Sequence, residues 1–201
     1  MLGSTGCSTH PEGSASTLPG DELFAACAAC HGPKGDGNAM FRAPAIAGLP
    51  AWYVEAQLWK FRTGARGAHP DDVDGLRMRP MSRQLMNPAE VKGVAEYVAA
   101  LTPVKVAATL TGGDPKAGAA SWPVCLACHG PDGRGQQTMN APPLAGQADW
   151  YLLAQLKKFK AGVRGTNPRD TTGATMRPMS MTLVDEQAMK NVVAHISTFP
   201  R

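Results

Sequence analysis

A shift of 98 residues lays positions 27–85 of this 201-residue chain onto positions 125–183 without a gap, and just over half of the paired positions are identical. An ungapped match of that length implies two copies of one structural unit, each near the lower end of the usual domain size. The identities are clustered. His-Gly-Pro-x-Gly-x-Gly occupies 31–37 and 129–135, and Trp-Tyr occupies 52–53 and 150–151. Gln-Leu recurs at 57–58 and 155–156, Arg-Gly at 66–67 and 164–165, and Met-Arg-Pro-Met-Ser at 78–82 and 176–180.

The pattern within each copy is helical. β-branched runs are short, and Gly and Pro punctuate the gaps between segments of helical period. The expected class is all-α, with about three main helices per copy. The first starts near Asp21, whose charge suits a helix N-terminus, and leads into the cysteines at 27 and 30. Residues 51–62 form the second, with Tyr53, Gln57, Leu58 and Phe61 at helical spacing. Residues 88–101 form the third, with Pro88 in its first turn and Val91, Val94, Ala95 and Val98 on one face. In the second copy the helices are expected at 117–128, 149–160 and 185–198, with Pro123 shortening or kinking the first. Residues 32–48 and 68–87 read as loops. The divisions are a polar leader (1–18), a first domain (19–101), a Pro/Gly-containing linker (102–115) and a second domain (116–201).

Each copy carries Cys-x-x-Cys-His: Cys27, Cys30 and His31, then Cys125, Cys128 and His129. This is the attachment signature of c-type haem. The two thiols add across the vinyl groups, and the adjacent histidine then lies where it can bind the iron. Two covalently bound haem c groups are therefore expected, with Cys27, Cys30, Cys125 and Cys128 attaching them. A zinc reading lacks the second ligand pair that such sites use. A large apolar cofactor also explains how units this small can fold without a large core of their own side chains.

An electron-carrying iron needs a second protein ligand, present in both copies if the copies are equivalent. His69 pairs with Asn167 and His195 with Tyr97, so neither qualifies. Methionine remains, as Met78 with Met176 or as Met81 with Met179. The separation from histidine to the first methionine is the same in both copies. A proline two residues further on stiffens the segment beyond it, favouring Met78 and Met176 as metal ligands beside His31 and His129. Met81 and Met179 are then packing residues against the haem. Thioether ligation favours Fe(II) and raises the reduction potential. Pro44 and Pro142, thirteen residues after each histidine, offer carbonyls that could fix the imidazoles. Trp52, Tyr53, Trp150 and Tyr151 are candidates to line the haem edge. Arg66, Arg79, Arg164 and Arg177 could meet propionates, although each alone reads more simply as a solvated charge.

The formal net charge is +4, unevenly spread. Residues 1–101 hold nine Lys/Arg against ten Asp/Glu, and residues 102–201 hold eleven against six. Such asymmetry can orient a molecule toward a charged redox partner. No basic cluster interleaved with aromatics points to nucleic acid. Haem attachment of this type occurs outside the bacterial cytoplasm, so a periplasmic location is expected, although no apolar signal core precedes Cys7. Cys7 follows small residues and precedes a polar tether, as at a lipoprotein cleavage site. Ser4, where that pattern has leucine, weakens the match, and lipid attachment and a plain tail cysteine both stand as readings.

With these motifs the chain resembles the dihaem cytochrome c4 family over essentially everything after residue 20. The resemblance rests on the two Cys-x-x-Cys-His-Gly segments, Pro-x-apolar-Ala-Gly at 44–48 and 142–146, Tyr-x-x-x-Gln-Leu at 53–58 and 151–156, and Met-x-x-Met before the last helix of each copy. It implies two class I cytochrome c domains packed face to face about a pseudo-twofold axis, with the first methionine of each pair as ligand. It implies electron delivery from a quinol-oxidising complex to a terminal oxidase, without substrate chemistry, by a soluble or peripherally attached protein. The tryptophans before Tyr53 and Tyr151, and the Arg-Gly-x-x-Pro segments, suggest a subgroup serving as the dihaem subunit of one dehydrogenase or oxidase. A dihaem peroxidase is disfavoured, because it needs one releasable iron position and the two copies match.

Overall fold

The computed structural model describes residues 18–200. Cys7 and the leader to residue 17 lie outside them. Among the described residues the regular elements are helical, apart from isolated bridges pairing Asn38 with Ala43 and Gln136 with Ala141. The first half contains α1 (Gly20–His31), α2 (Ala51–Thr63), α3 (Val73–Arg83) and α4 (Pro88–Ala100). The second contains α5 (Pro115–Ser121), α6 (Pro123–His129), α7 (Asp149–Lys160), α8 (Thr171–Met181) and α9 (Glu186–Ile196). None is long and apolar enough to cross a membrane.

Local chemistry sets most of these limits. Asn87 caps α4 by accepting from the Glu90 amide at 2.9 Å, and Asp185 caps α9 by accepting from the Ala188 amide at 2.7 Å. The haem-motif helices α1 and α6 stop at Gly32 and Gly130, whose φ values of 80° and 79° suit glycine. Pro123, which lacks an N–H to continue the ladder, divides the expected single helix into α5 and α6.

One expectation fails. Residues 68–87, read as a loop, contain α3, and α8 occupies the matching place in the second half. Both helices hold an internal proline, Pro80 and Pro178. Capping and packing outweigh this local penalty. Asp72 accepts from the Gly75 amide at 3.1 Å and Asp170 from the Gly173 amide at 3.0 Å. Gly75 and Gly173 are needed because a Cβ there would strike the capping carboxylate. α3 then packs on α2, and α8 on α7.

In each half the first helix lies across the last. Phe24 of α1 buries against Val91, Val94 and Val98 of α4, with Leu85 closing the cluster. In the second half Trp122 joins Leu152, Leu153, Met189, Val192, Val193 and Ile196. The crossing is close because Gly20 meets the Gly93 carbonyl and Gly118 meets the Asn191 carbonyl, leaving no space for a side chain. The connecting segment is pinned by Asp149 at the start of α7. Its carboxylate accepts from the amides of Thr109 and Leu110 and from the Thr109 hydroxyl.

The halves meet through a polar network that their pseudo-symmetry makes double. Arg66 donates to Gln57 of its own half at 2.7 Å, and to Tyr151 and Gln155 of the other at 2.9 and 3.0 Å. Arg164 donates to Gln155 at 2.8 Å and across to Gln57 at 3.2 Å. Each guanidinium lies over a phenyl ring, Arg66 over Phe61 and Arg164 over Phe159. Both are only 8% exposed, so they are not the solvated charges that each reads as in isolation.

Candidate functional site

α1 and α6 end at the haem motifs, so helix geometry decides where the cysteines and histidines point. Cys27, Cys30 and His31 line one end of a continuous cavity, and Cys125, Cys128 and His129 line the other. Its walls are largely apolar, with Leu58, Val94 and Val98 in the first half and Leu156, Val192 and Ile196 in the second. Burial raises the Cys27 thiol and pushes the Cys125 thiol up to about 11, so free thiols here stay protonated at neutral pH.

His31 and His129 are buried, and burial is the main cause of their lowered pKa values, which favours neutral rings. Nδ1 of His31 lies 2.8 Å from the Pro44 carbonyl, and Nδ1 of His129 lies 2.8 Å from the Pro142 carbonyl. A carbonyl can only accept, so Nδ1 carries the proton and Nε2 keeps its lone pair. That is the tautomer a metal ligand requires, fixed by the two prolines singled out in the sequence.

Met78 on α3 and Met176 on α8 line the same cavity. Met179 also lines it, whereas its counterpart Met81 is not among the lining residues. Met78 and Met176 are therefore the pair that meets the cavity in both halves. Tyr53 and Tyr151 line it as expected, together with Arg66 and Arg164. Trp52 and Trp150 do not. Each packs edge-on against its neighbouring tyrosine, and Trp150 also lies beneath Arg42. Arg79 and Arg177 are likewise outside the lining; Arg79 instead lies close to Gly64.

Two twofold-related thiol pairs, two lone-pair imidazoles and an apolar cavity between them fit two haems. Arg66 and Arg164, cavity-lining cations with buried, unpartnered Nε atoms, suit the anionic edge of such a group.

The cavity rim breaks the symmetry. Arg42, Asp74 and Arg77 line it in the first half, and Asn140, Thr172 and Thr175 occupy the matching positions. Partial burial acts to raise the Asp74 carboxyl, but hydrogen bonds and charge from Arg42 and Lys158 outweigh it and hold the group below its ordinary range. A carboxylate depressed in the folded state contributes stability above its unfolded value, and loses it as pH falls through the folded one. Asp74→Asn is therefore expected to lower stability at neutral pH and to change it little at pH values below the folded carboxyl's range, so that the acid limb of the stability–pH profile below about pH 4 flattens. Thermal unfolding across that range checks this.

The profile of the cytochrome c family matches residues 18–102 and 115–200, one segment per half. The chain belongs to the cytochrome c family. Within it, the chain is similar to cytochrome c4 of Azotobacter vinelandii, at 32% identity over 84% of this chain and 82% of that protein. It is also similar to a thiosulfate dehydrogenase electron acceptor of Stutzerimonas stutzeri (strain A1501), at 36% identity over 77% and 72%. Among solved structures, reduced recombinant cytochrome c4 from Pseudomonas stutzeri matches with a TM-score of 0.73, at 25% identity over 90% of this chain and 97% of that one. A thiosulfate dehydrogenase from Marichromatium purpuratum matches with a TM-score of 0.71 at 32% identity, and this chain covers 40% of that enzyme's length. The chain is thus a dihaem electron carrier of the cytochrome c4 type, with two tandem all-α class I cytochrome c domains binding two covalent haem c groups. Among the described residues each domain has one more α-helix than the three-helix plan, besides the divided first helix of the second domain.

Proposed function

We propose that this cytochrome works outside the cytoplasm, taking electrons from a primary dehydrogenase or quinol-oxidising complex and passing them to a terminal oxidase. The bound haems supply reversible one-electron chemistry. Cys27 and Cys30 hold one, Cys125 and Cys128 the other. His31 with Met78, and His129 with Met176, would be the protein ligands of the two irons. The supporting observation is the matched placement of these residues about one cavity, with each imidazole oriented by a proline carbonyl. With both protein ligands bound, an iron would have no open position for substrate, which suits a carrier.

A narrower reading has its own support. Relatives from Stutzerimonas stutzeri and Thiomonas intermedia are named as electron acceptors of thiosulfate dehydrogenase. In this reading the chain is the dedicated acceptor of such an enzyme, either free or held at the membrane through its leader. Stopped-flow mixing of the oxidised holoprotein with thiosulfate and a thiosulfate dehydrogenase tests it. Rapid reduction of both haems, dependent on the enzyme, is expected. Reduction only by a quinol-oxidising complex would return the chain to the general shuttle role, and reduction by neither would remove both donors.

A further inference from the structure

We propose that each half of the molecule positions the methionine-bearing helix of the other half. The inference rests on Met78 and Met176 as the iron ligands. Its basis is a crossed pair of buried contacts. Asp170 caps α8, six residues before Met176, and is fully buried. The cation on it is Lys60 of the first half, with Nζ 2.6 Å from Oδ1. Lys60 also donates to the Thr172 hydroxyl in the first turn of α8. The mirror contact has Lys158 of the second half 2.6 Å from Oδ1 of Asp72, which caps α3 six residues before Met78. Lys158 also reaches Asp74 at 2.9 Å.

The far ends of the same helices are held from within their own halves. Arg62 donates to the Ser82 and Leu85 carbonyls beyond Met78, and Lys160 donates to the Leu183 and Val184 carbonyls beyond Met176. Between the two clamps stand Pro80 and Pro178, each giving up a ladder hydrogen bond two residues after the methionine. Each methionine therefore sits on a helix weakened at one point and anchored on either side, once by its own half and once by its neighbour. Removing one partner of a buried ion pair strands the other charge in a poorly solvating site. Here that stranded charge would be the cap carboxylate, so the first turn carrying it would open more often. Lys60 and Lys158 are positioning residues, acting through the cap rather than on the iron.

The test uses the oxidised holoprotein and adds imidazole to displace methionine from iron. Displacement is followed through the iron-shifted methionine methyl resonances, assigned with Met78→Ala and Met176→Ala. Lys60→Gln is expected to speed loss of the Met176 signal by about tenfold or more, with the Met78 signal within about twofold of wild type. Lys158→Gln should give the reverse, and Lys60→Arg should stay near wild type. Should Lys60→Gln not fold with both haems, the neutral pair Lys60→Gln with Asp170→Asn is read instead: the cross-half tie is lost but no charge is stranded, so loss of the Met176 signal should again speed up selectively but by less, and an unchanged rate overturns the proposal. Acceleration in the mutated half itself, or equally in both halves, overturns the proposal. If Met176→Ala leaves both methyl signals in place, it is the ligand assignment that fails. If the assignments hold and the lysines act within their own halves, only the crossed clamp fails.

Discussion

Leucine in place of Met176 is expected to lower the midpoint potential of the second haem by on the order of 0.1–0.3 V, a fraction of the roughly 0.8 V that axial ligands span. The first haem should move little. Leucine fills a similar volume, so the helix and cavity wall persist, but it has no lone pair to offer the iron. Loss of the soft thioether removes the preference for Fe(II). Met78→Leu should mirror this at the first haem. A redox titration that resolves the two steps, with the weak methionine-to-iron absorption band alongside it, reads both effects. An unmoved midpoint and an intact band in Met176→Leu would transfer the ligand role to Met179, which lines the same cavity.

Valine in place of Gly118 is expected to destabilise the second half by roughly 3 kcal/mol or more, at the upper end for overpacking. A Cβ at 118 would run into the Asn191 carbonyl and the His195 side chain on α9. Backbone cannot yield as a side-chain tip does, so α5 must move off α9, and the cluster of Trp122, Val192, Val193 and Ile196 opens with it. Gly93→Ala is the contrast. It lies within α4 with nothing nearer its Cβ than Leu23 at 3.9 Å. That change should stabilise by roughly 0.5–1 kcal/mol, the ordinary cost of glycine in a helix interior. Denaturant unfolding followed by far-ultraviolet circular dichroism separates the two outcomes.

Much of the architecture is legible in the residues because a repeat supplies its own control. Many positions that match across 98 residues fall in the haem motifs, the cavity wall or the helix caps, and α7 is found at the expected residues 149–160. What escapes is tertiary. Gly75, Pro80, Gly173 and Pro178 argue against helix locally, and only the caps at Asp72 and Asp170 and the packing on α2 and α7 overturn them. Asp72 and Asp170 are themselves repeated positions, followed three residues later by a repeated glycine. That spacing was the available signal for a capped helix. The interface is harder to see. Gln57, Lys60 and Arg66 recur as Gln155, Lys158 and Arg164, yet a repeated polar residue gives no indication that its partner lies in the other copy.

The crossed contacts carry a consequence for where such a chain comes from. Lys60 corresponds to Lys158 and Asp72 to Asp170, so the surface that one half presents is the surface it receives. An isolated single-haem unit with these residues would meet a second copy of itself through the same two ion pairs, which is the self-complementary contact of a twofold homodimer. Fusion of two such genes would make that pairing permanent and concentration-independent. It would also free each copy to diverge at the rim, as Arg42, Asp74 and Arg77 have from Asn140, Thr172 and Thr175.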